Sequence, residues 1–159
     1  MSTRWRQYFL NIAVVNARMS KDPSTKVGAV IVGENRNILA TGFNGFPAGI
    51  KDTQERLLDR NTKMELVVHA ELNAILSAAR NGIKLADSTL YIVCVDAKTD
   101  KIWGTPPCVR CTVEIIQAGI KHVVYGATDL EVTRDWDKPL TTLRLFDEAG
   151  ISVTKFLLC

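Results

Sequence analysis

The sequence lacks any long uninterrupted hydrophobic segment, although 47% of its 159 residues are hydrophobic. Polar and charged side chains interrupt the apolar N-terminal region at short intervals: Arg4, Arg6, Gln7, Asn11, Asn16 and Arg18. A membrane-spanning helix needs about 20 consecutive apolar residues, and a signal peptide needs an apolar core of about 7–15. We therefore expect no membrane span and no export signal, and we predict a cytoplasmic protein with no membrane partner.

The sequence also lacks a block of one charge. Its 20 basic and 17 acidic residues are spread along the chain and give a net charge of +3. Dedicated nucleic-acid-binding domains concentrate Lys and Arg on one face or in one segment. The charge pattern therefore predicts no nucleic-acid partner, but it is compatible with a small anionic substrate.

Cysteine is scarce, with four residues in the chain. In a chain without an export signal, such cysteines indicate a reducing compartment and metal-binding or reactive roles rather than a disulfide framework. Cys94 and Cys159 each lie in an apolar run, which favours a role in buried packing. Cys108 and Cys111, three residues apart, are the candidates for chemistry.

Internal repeats, low-complexity tracts and linkers are absent, and the length suits a single domain over residues 1–159. Hydrophobic patterning and helix-ending glycines predict helices at 3–19, 69–81, 108–118 and 139–148. The same criteria predict strands at 27–32, 37–43, 89–95, 121–126 and 151–158. This order predicts an α/β fold in which a mixed sheet of about five strands, starting with an antiparallel hairpin, carries helices on both faces.

Two regions are less informative. Residues 44–68 form a connection far longer than the usual length of about four to six residues, which indicates a functional loop or an insertion. Residues 128–159 match no motif, and Trp136 within them is interpreted equally well as a subunit contact or as a core residue.

The strongest chemical signal is a pair of short motifs at two predicted helix starts. His69-Ala70-Glu71 opens the second helix, and Pro107-Cys108-Val109-Arg110-Cys111 opens the third. Cysteines three apart face the same side of a helical turn, and a helix N-terminus favours the thiolate form. Imidazole and thiolate suit zinc, and three protein ligands leave one position for water, as catalytic zinc sites do. The sequence therefore predicts zinc bound by His69, Cys108 and Cys111.

Each motif alone has an ordinary interpretation. A single C-x-x-C also fits a redox pair or part of a structural metal site, and H-A-E also fits a plain helix start, because acidic residues are favoured there. Together they match the H-x-E and P-C-x-x-C signature of zinc deaminases. Glu71 is then the proton carrier, whereas Glu114, in the body of the third helix, is interpreted as solvated surface.

Four segments carry a more specific resemblance. They are SKDPSTKVGAVIV (20–32), TGFNGFPAG (41–49), DRNTKMELVVHAELNAI (59–75) and PPCVRC (106–111). In this order they resemble the deoxycytidylate (dCMP) deaminases over about residues 5–127. The H-A-E and P-C-x-x-C pair alone would equally fit tRNA adenosine deaminase, guanine deaminase or the deaminase of riboflavin biosynthesis; the other segments favour dCMP.

The resemblance implies a three-layer α/β/α cytidine deaminase-like fold and hydrolysis of dCMP to dUMP and ammonia, with one Zn²⁺ per chain. It also implies a homo-oligomer, between a dimer and a hexamer, and regulation by dCTP and dTTP with Mg²⁺ accompanying the effector nucleotide. Residues 47–66 contain no cysteine or histidine, which argues against a second structural zinc.

The resemblance also implies a substrate site, formed by Lys26, Asn44, Ala70, Thr105, Pro106 and Tyr125. In that site Asn44 hydrogen-bonds the deoxyribose and Lys26 helps to bind the 5′-phosphate. The backbone carbonyl around Thr105-Pro106 receives the exocyclic amine, the Ala70 N–H meets the pyrimidine carbonyl, and Tyr125 packs near the substrate. The ordinary interpretations are a turn asparagine, a surface lysine and a core tyrosine.

Two alternatives stay open at this level. One keeps the chemistry and changes the substrate to guanine, cytidine, dCTP or a tRNA adenosine. The other is a non-catalytic, zinc-stabilised nucleotide-binding module in which Glu71 only caps a helix.

Overall fold

Helices and strands follow one another largely as the hydrophobic patterning predicts. The computed structural model describes residues 1–128 and 138–158, so the predictions for Trp136 and Cys159 lie outside the described residues. The helices are α1 (Thr3–Ala17), α2 (Gln54–Leu58), α3 (Arg60–Leu66), α4 (Ala70–Arg80), α5 (Val109–Gln117) and α6 (Pro139–Glu148). The strands are β1 (Thr25–Val32), β2 (Ile38–Phe43), β3 (Thr89–Asp96), β4 (Ile102–Trp103), β5 (His122–Ala127) and β6 (Ser152–Leu157). Within the described ranges, no helix is both long and apolar enough to span a membrane.

The strands form one mixed sheet with the order β2-β1-β3-β5-β6. β1 pairs antiparallel with β2 and β3, whereas β5 pairs in parallel with β3 and β6. The predicted hairpin and mixed sheet are therefore confirmed. A sixth strand, the two-residue β4, pairs antiparallel with the end of β3 and is too short to give a periodic signal in the sequence.

The sheet carries helices on both faces because its central strands alternate their side chains between two cores. Val30 and Val32 of β1 pack with α1 in one core. Ala29 and Ile31 pack in the other core, which includes residues of α4, α5 and α6. The predicted α/β/α layering is thus confirmed, and the face that carries α4 and α5 also carries the two deaminase-like motifs.

The long connection at 44–68 is ordered into two short helices, α2 and α3, rather than an irregular loop. Asp59 begins α3 by accepting a hydrogen bond from the Thr62 N–H at 3.1 Å. The connection ends with an antiparallel bridge between Gly45 and Val68, immediately before His69. Both helices are shorter than the windows in which helical periodicity can be recognised.

Glycine at position 42 lets α4 lie directly against β2. A Cβ atom at Gly42 would be 2.4 Å from the Ala70 carbonyl oxygen and 2.5 Å from the Ala74 nitrogen. These backbone atoms cannot move aside as a flexible side chain could. The close contact fixes the first turns of α4, and with them His69 and Glu71, against the sheet.

Candidate active site

Three predicted metal ligands converge in the structure. The ligand atoms of His69, Cys108 and Cys111 all lie within 4.8 Å of one another. The Nδ1 of His69 is 3.5 Å from the Sγ of Cys108 and 3.3 Å from the Sγ of Cys111. The residues are brought together by the starts of α4 and α5, because His69 and Cys108 are the N-cap residues of these helices.

The spacing of these atoms fits zinc. In a tetrahedral site with Zn–S of about 2.3 Å and Zn–N of about 2.0 Å, sulfur and nitrogen lie about 3.5 Å apart. Glu71 does not belong to the group, and no other group of three such side chains occurs among the described residues. One nitrogen and two sulfur ligands therefore leave a fourth position open for water or substrate, the arrangement of catalytic zinc sites.

The pKa values of the two thiols shift in opposite directions. A hydrogen bond from Cys111, assisted by His69, lowers the pKa of Cys108 to about 4 against burial. The same bond to Cys108, together with burial, raises the pKa of Cys111. The hydrogen bond to Cys108 also raises the pKa of His69. Because zinc binds cysteine as the thiolate, metal binding would release the protons that these thiols still carry.

Two buried threonines hold the loop that presents Cys108. Thr112 of α5 donates a hydrogen bond of 3.0 Å to the Cys108 carbonyl oxygen. Thr142 of α6 donates one of 2.9 Å to the Pro107 carbonyl oxygen. Both threonines have no exposed surface. The loop before Cys108 is therefore hydrogen-bonded to α6, a helix in which the sequence analysis predicts no site residue.

Glu71 lies in the first turn of α4 and is only 4% exposed. Burial raises the pKa of its carboxyl group, and the positive charge of His69 opposes that change. A raised pKa makes a carboxylate a stronger proton acceptor than an ordinary glutamate, which suits a general base. Its placement agrees with the predicted role of proton carrier.

Glu71 opens onto a cavity of about 830 Å³, a volume typical of sites for small molecules. His69 and Cys108 line the same cavity, so the metal group and Glu71 face one space. Ile92, Cys94 and Trp103 provide an apolar wall from β3 and β4. The arrangement suits a flat, partly apolar ligand held beside a metal and a proton carrier.

The structure brings several of the predicted substrate residues to this cavity. Asn44, Thr105 and Pro106 line it. Ala70 is fully buried between His69 and Glu71 at the start of α4, where backbone N–H groups have no partner within the helix.

Two predicted substrate residues are not among the residues that line the cavity. Lys26 lies on β1 in alternation with Gly28 and Val30, which face α1 on the other side of the sheet. Tyr125 packs against the core on the α4 side, paired in register with Ile92.

The structure also adds residues that sequence reasoning missed. Asp22 and Lys63 line the cavity and form an ion pair with an N–O distance of 3.4 Å. Trp103 lines it from β4. Asp22 and Lys63 stand in the segments that carry the family resemblance, but nothing in their spacing, 41 residues apart, indicates that they meet. The sequence feature that could have pointed to Lys63 is the charged stretch of residues 51–66, within the long connection that is interpreted as a functional loop or an insertion.

The interpretation of Glu114 as solvated surface is wrong. Its side chain is 24% exposed, and its Oε2 atom is buried with no hydrogen-bond partner among the described residues. Burial raises the pKa of Glu114, and Arg110, 3.6 Å away, opposes that change. The physical reason is that Pro47 and Val68 border a small cavity beside it, so the chain before α4 shields this side of α5.

Comparisons with known proteins agree with this geometry. Residues 3–127 match the model of the cytidine and deoxycytidylate deaminase zinc-binding region. The deoxycytidylate deaminase of Homo sapiens is 35% identical over 160 residues, covering 96% of this chain and 80% of that protein. The ComE operon protein 2 of Bacillus subtilis is 32% identical over 150 residues, covering 94% of this chain and 69% of that protein.

A solved structure shares the fold as well. The dCMP deaminase from the cyanophage S-TIM5, in complex with dCMP and dUMP, superimposes with a TM-score of 0.73 and 26% identity, covering 98% of this chain and 99% of that chain. This similarity confirms the cytidine deaminase-like fold. With the family match and the converged ligand set, it leads to one conclusion: the chain belongs to the cytidine and deoxycytidylate deaminase family, and its residues 3–127 carry the zinc-binding region.

Proposed function

We propose that this protein hydrolyses dCMP to dUMP and ammonia and so supplies dUMP for thymidylate synthesis. The observation that carries the proposal is the convergence of His69, Cys108 and Cys111, because His69 and Cys108 line the same cavity as the buried Glu71. The human relative is named a deoxycytidylate deaminase, and the cyanophage enzyme was solved with dCMP and dUMP. These relatives support dCMP over guanine, cytidine, dCTP and tRNA adenosine.

In the proposed reaction, water adds to the ring carbon that carries the exocyclic amine, and the C–N bond to that amine breaks. Zinc held by His69, Cys108 and Cys111 supplies the Lewis acidity that makes water nucleophilic near neutral pH. The Glu71 carboxylate accepts a proton from the attacking water. It delivers this proton to the ring nitrogen, then takes the second proton from the hydroxyl now attached to the ring carbon and passes it to the departing amine, which leaves as ammonia. Burial of Glu71 keeps bulk water away from these proton transfers.

The substrate contacts remain part of this proposal. The carbonyl around Thr105-Pro106 is proposed to receive the exocyclic amine, and the Ala70 N–H to meet the pyrimidine carbonyl. Asn44 is proposed to hydrogen-bond the deoxyribose, and Tyr125 to pack near the substrate. The positions of Asn44, Thr105 and Pro106 on the cavity support two of these assignments.

The proposal also covers the cellular compartment of the protein, its oligomeric state and its regulation. Cys108 and Cys111 have to stay reduced to bind a metal, which supports a cytoplasmic location. A homo-oligomer, effector binding by dCTP and dTTP, and Mg²⁺ bound with the effector rest on the family resemblance alone.

Ammonia release from a substrate panel tests the proposal. Zinc-loaded protein is incubated with dCMP, deoxycytidine, dCTP, guanine and tRNA, with and without dCTP and Mg²⁺ as effectors. We expect the highest kcat/KM with dCMP and stoichiometric formation of dUMP. Turnover of another substrate in preference to dCMP would contradict the assignment, and zinc-loaded protein inactive on the whole panel would favour the binding module.

A further inference from the structure

The charged residues on the cavity are mostly cationic. Apart from Asp22 and Glu71, the charged side chains among the described lining residues are Arg60, Lys63 and Lys98. Arg60 and Lys63 lie three residues apart on α3 and therefore share a helix face. The cavity thus has a positively charged wall on the segment that connects the GFNG turn (42–45) to α4.

Lys63 is the least exposed of these cations. Its side chain is 14% exposed, and the side chain of its partner Asp22 is 11% exposed. Removing a lysine from water is unfavourable unless anionic groups and acceptors surround it. Among the described residues, the Lys63 ammonium group contacts a single carboxylate, that of Asp22 at 3.4 Å, and the Ser24 hydroxyl at 3.5 Å.

Backbone hydrogen bonds fix the Asp22 carboxylate, so it can position Lys63. It does not use all the hydrogen-bond donors of the Lys63 ammonium group. Asp22 accepts hydrogen bonds from the N–H groups of Ser24 at 2.8 Å and Thr25 at 3.1 Å. Its own N–H donates to the Ser20 hydroxyl at 3.2 Å. By contrast, the ammonium contacts of 3.4–3.5 Å exceed the usual charge-assisted length of about 2.7–2.9 Å. An ammonium group has three donors, so Lys63 retains capacity for another anion.

Lys26 does not share this position. Its neighbours Thr25 and Val27 line the cavity, but Lys26 itself does not. Because side chains alternate along a strand, Lys26 shares the α1 face of the sheet with Gly28 and Val30.

From this placement we infer that Lys63, positioned by Asp22 and assisted by Arg60, binds the 5′-phosphate of the substrate and selects nucleotides over nucleosides, a role that the sequence resemblance gave to Lys26. The inference rests on the proposed function. It makes Lys63 a specificity-determining residue, because it contacts the phosphate and not the reacting ring.

The test compares dCMP with deoxycytidine, which lacks the phosphate. In Lys63→Met we expect kcat/KM for dCMP to fall about 10- to 100-fold, the loss of a hydrogen bond to a charged group. Turnover of deoxycytidine should stay within about twofold, and Lys63→Arg should recover part of the dCMP activity. The matched control is Lys84→Met, an exposed lysine outside the cavity, which should leave both substrates unaffected.

A binding measurement tests the role of Lys63 without relying on turnover. Inorganic phosphate is titrated into zinc-loaded wild-type, Lys63→Met and Lys26→Met proteins by calorimetry, and we expect weaker binding in Lys63→Met alone. Equal phosphate binding by wild type and Lys63→Met, an equal loss of activity on both nucleoside and nucleotide, or a dCMP-specific loss in Lys26→Met instead would each overturn the inference. A zinc-loaded wild type that leaves dCMP intact would refute the proposed function, while the phosphate titration would still decide the role of Lys63.

Discussion

The side-chain oxygen of Asn44 accepts a hydrogen bond of 2.7 Å from the backbone N–H of Val27. The Asn44 amide donates in turn to the Thr25 carbonyl oxygen at 2.9 Å, and the Ser20 hydroxyl donates to the Asn44 carbonyl oxygen at 2.7 Å. One buried side chain therefore joins the GFNG turn to the first residues of β1. Asn44 also lines the cavity, so it combines a structural role with its proposed contact to the sugar.

Asn44→Ala should lower the free energy of unfolding by about 1–3 kcal/mol, because two partly buried hydrogen bonds, from the Val27 N–H and to the Thr25 carbonyl, are lost with the side chain. Chemical denaturation followed by circular dichroism measures this change. Asn35→Ala, at an exposed position, is the control and should change stability by less than about 0.5 kcal/mol. Unchanged stability in Asn44→Ala, with a higher KM for dCMP, would show that Asn44 acts on the sugar alone.

Gly42→Ala should be strongly destabilising. Its new methyl group would be 2.4 Å from the Ala70 carbonyl oxygen, so α4 would have to move away from β2. We expect a loss of about 1–3 kcal/mol, typical of overpacking, together with lower activity because α4 carries Glu71. Thermal unfolding and ammonia release measure the two effects.

Gly45→Ala is the matched control for Gly42→Ala. Its added methyl group would meet only the Phe43 ring, at 3.8 Å, which is ordinary van der Waals contact. Stability should therefore change by less than about 1 kcal/mol. Equal effects of the two substitutions would contradict the close packing of β2 and α4.

Thr142→Val should weaken zinc binding although Thr142 is no metal ligand. The substitution keeps the volume of the side chain and removes its hydrogen bond to the Pro107 carbonyl, which precedes Cys108. Loss of a group that supports a ligand typically costs about tenfold in metal affinity, and we expect that loss here. Competition with a chromogenic chelator measures the affinity. Thr141→Val on the same helix is the control, and equal zinc affinities in the two variants would refute the role of Thr142.

The sequence was sufficient for the parts of the site that depend on local patterns. His69 and Cys108 stand at helix starts, where motif and helix signals coincide, and the structure places them there. Cysteines three apart on one helix converge for the same local reason. The mixed sheet with helices on both faces was also predicted, from the order of the helices and strands.

Long-range relationships were not accessible from the sequence. Asp22 and Lys63 meet only because the β1 start and α3 face one cavity, and no periodic pattern encodes that meeting. Lys26 is not among the residues that line the cavity, because a strand residue faces the side of the sheet set by register, and a motif comparison does not reveal that side. The burial of Glu114 likewise depends on the chain at Pro47 and Val68, remote from α5 in sequence.

Glu71→Gln should abolish catalysis without releasing the metal. The amide keeps the shape of the buried side chain and cannot carry the proton, so kcat should fall about 10²- to 10⁴-fold. Zinc content and phosphate binding should stay at wild-type levels, because Glu71 is outside the ligand group. Glu34→Gln, at an exposed turn, is the control and should retain full activity. Substantial turnover by Glu71→Gln would assign the proton transfers to another group.

The central claim is that His69, Cys108 and Cys111 hold a catalytic zinc ion, and metal analysis of purified variants tests it most directly. Elemental analysis is paired with ammonia release for wild type, His69→Ala, Cys108→Ala, Cys111→Ala and the control Cys94→Ala, a buried cysteine outside the ligand group. We predict one zinc ion per chain in wild type and Cys94→Ala, and loss of both zinc and activity in the three ligand variants. Metal-free wild-type protein that deaminates dCMP, or ligand variants that keep stoichiometric zinc, would contradict the account.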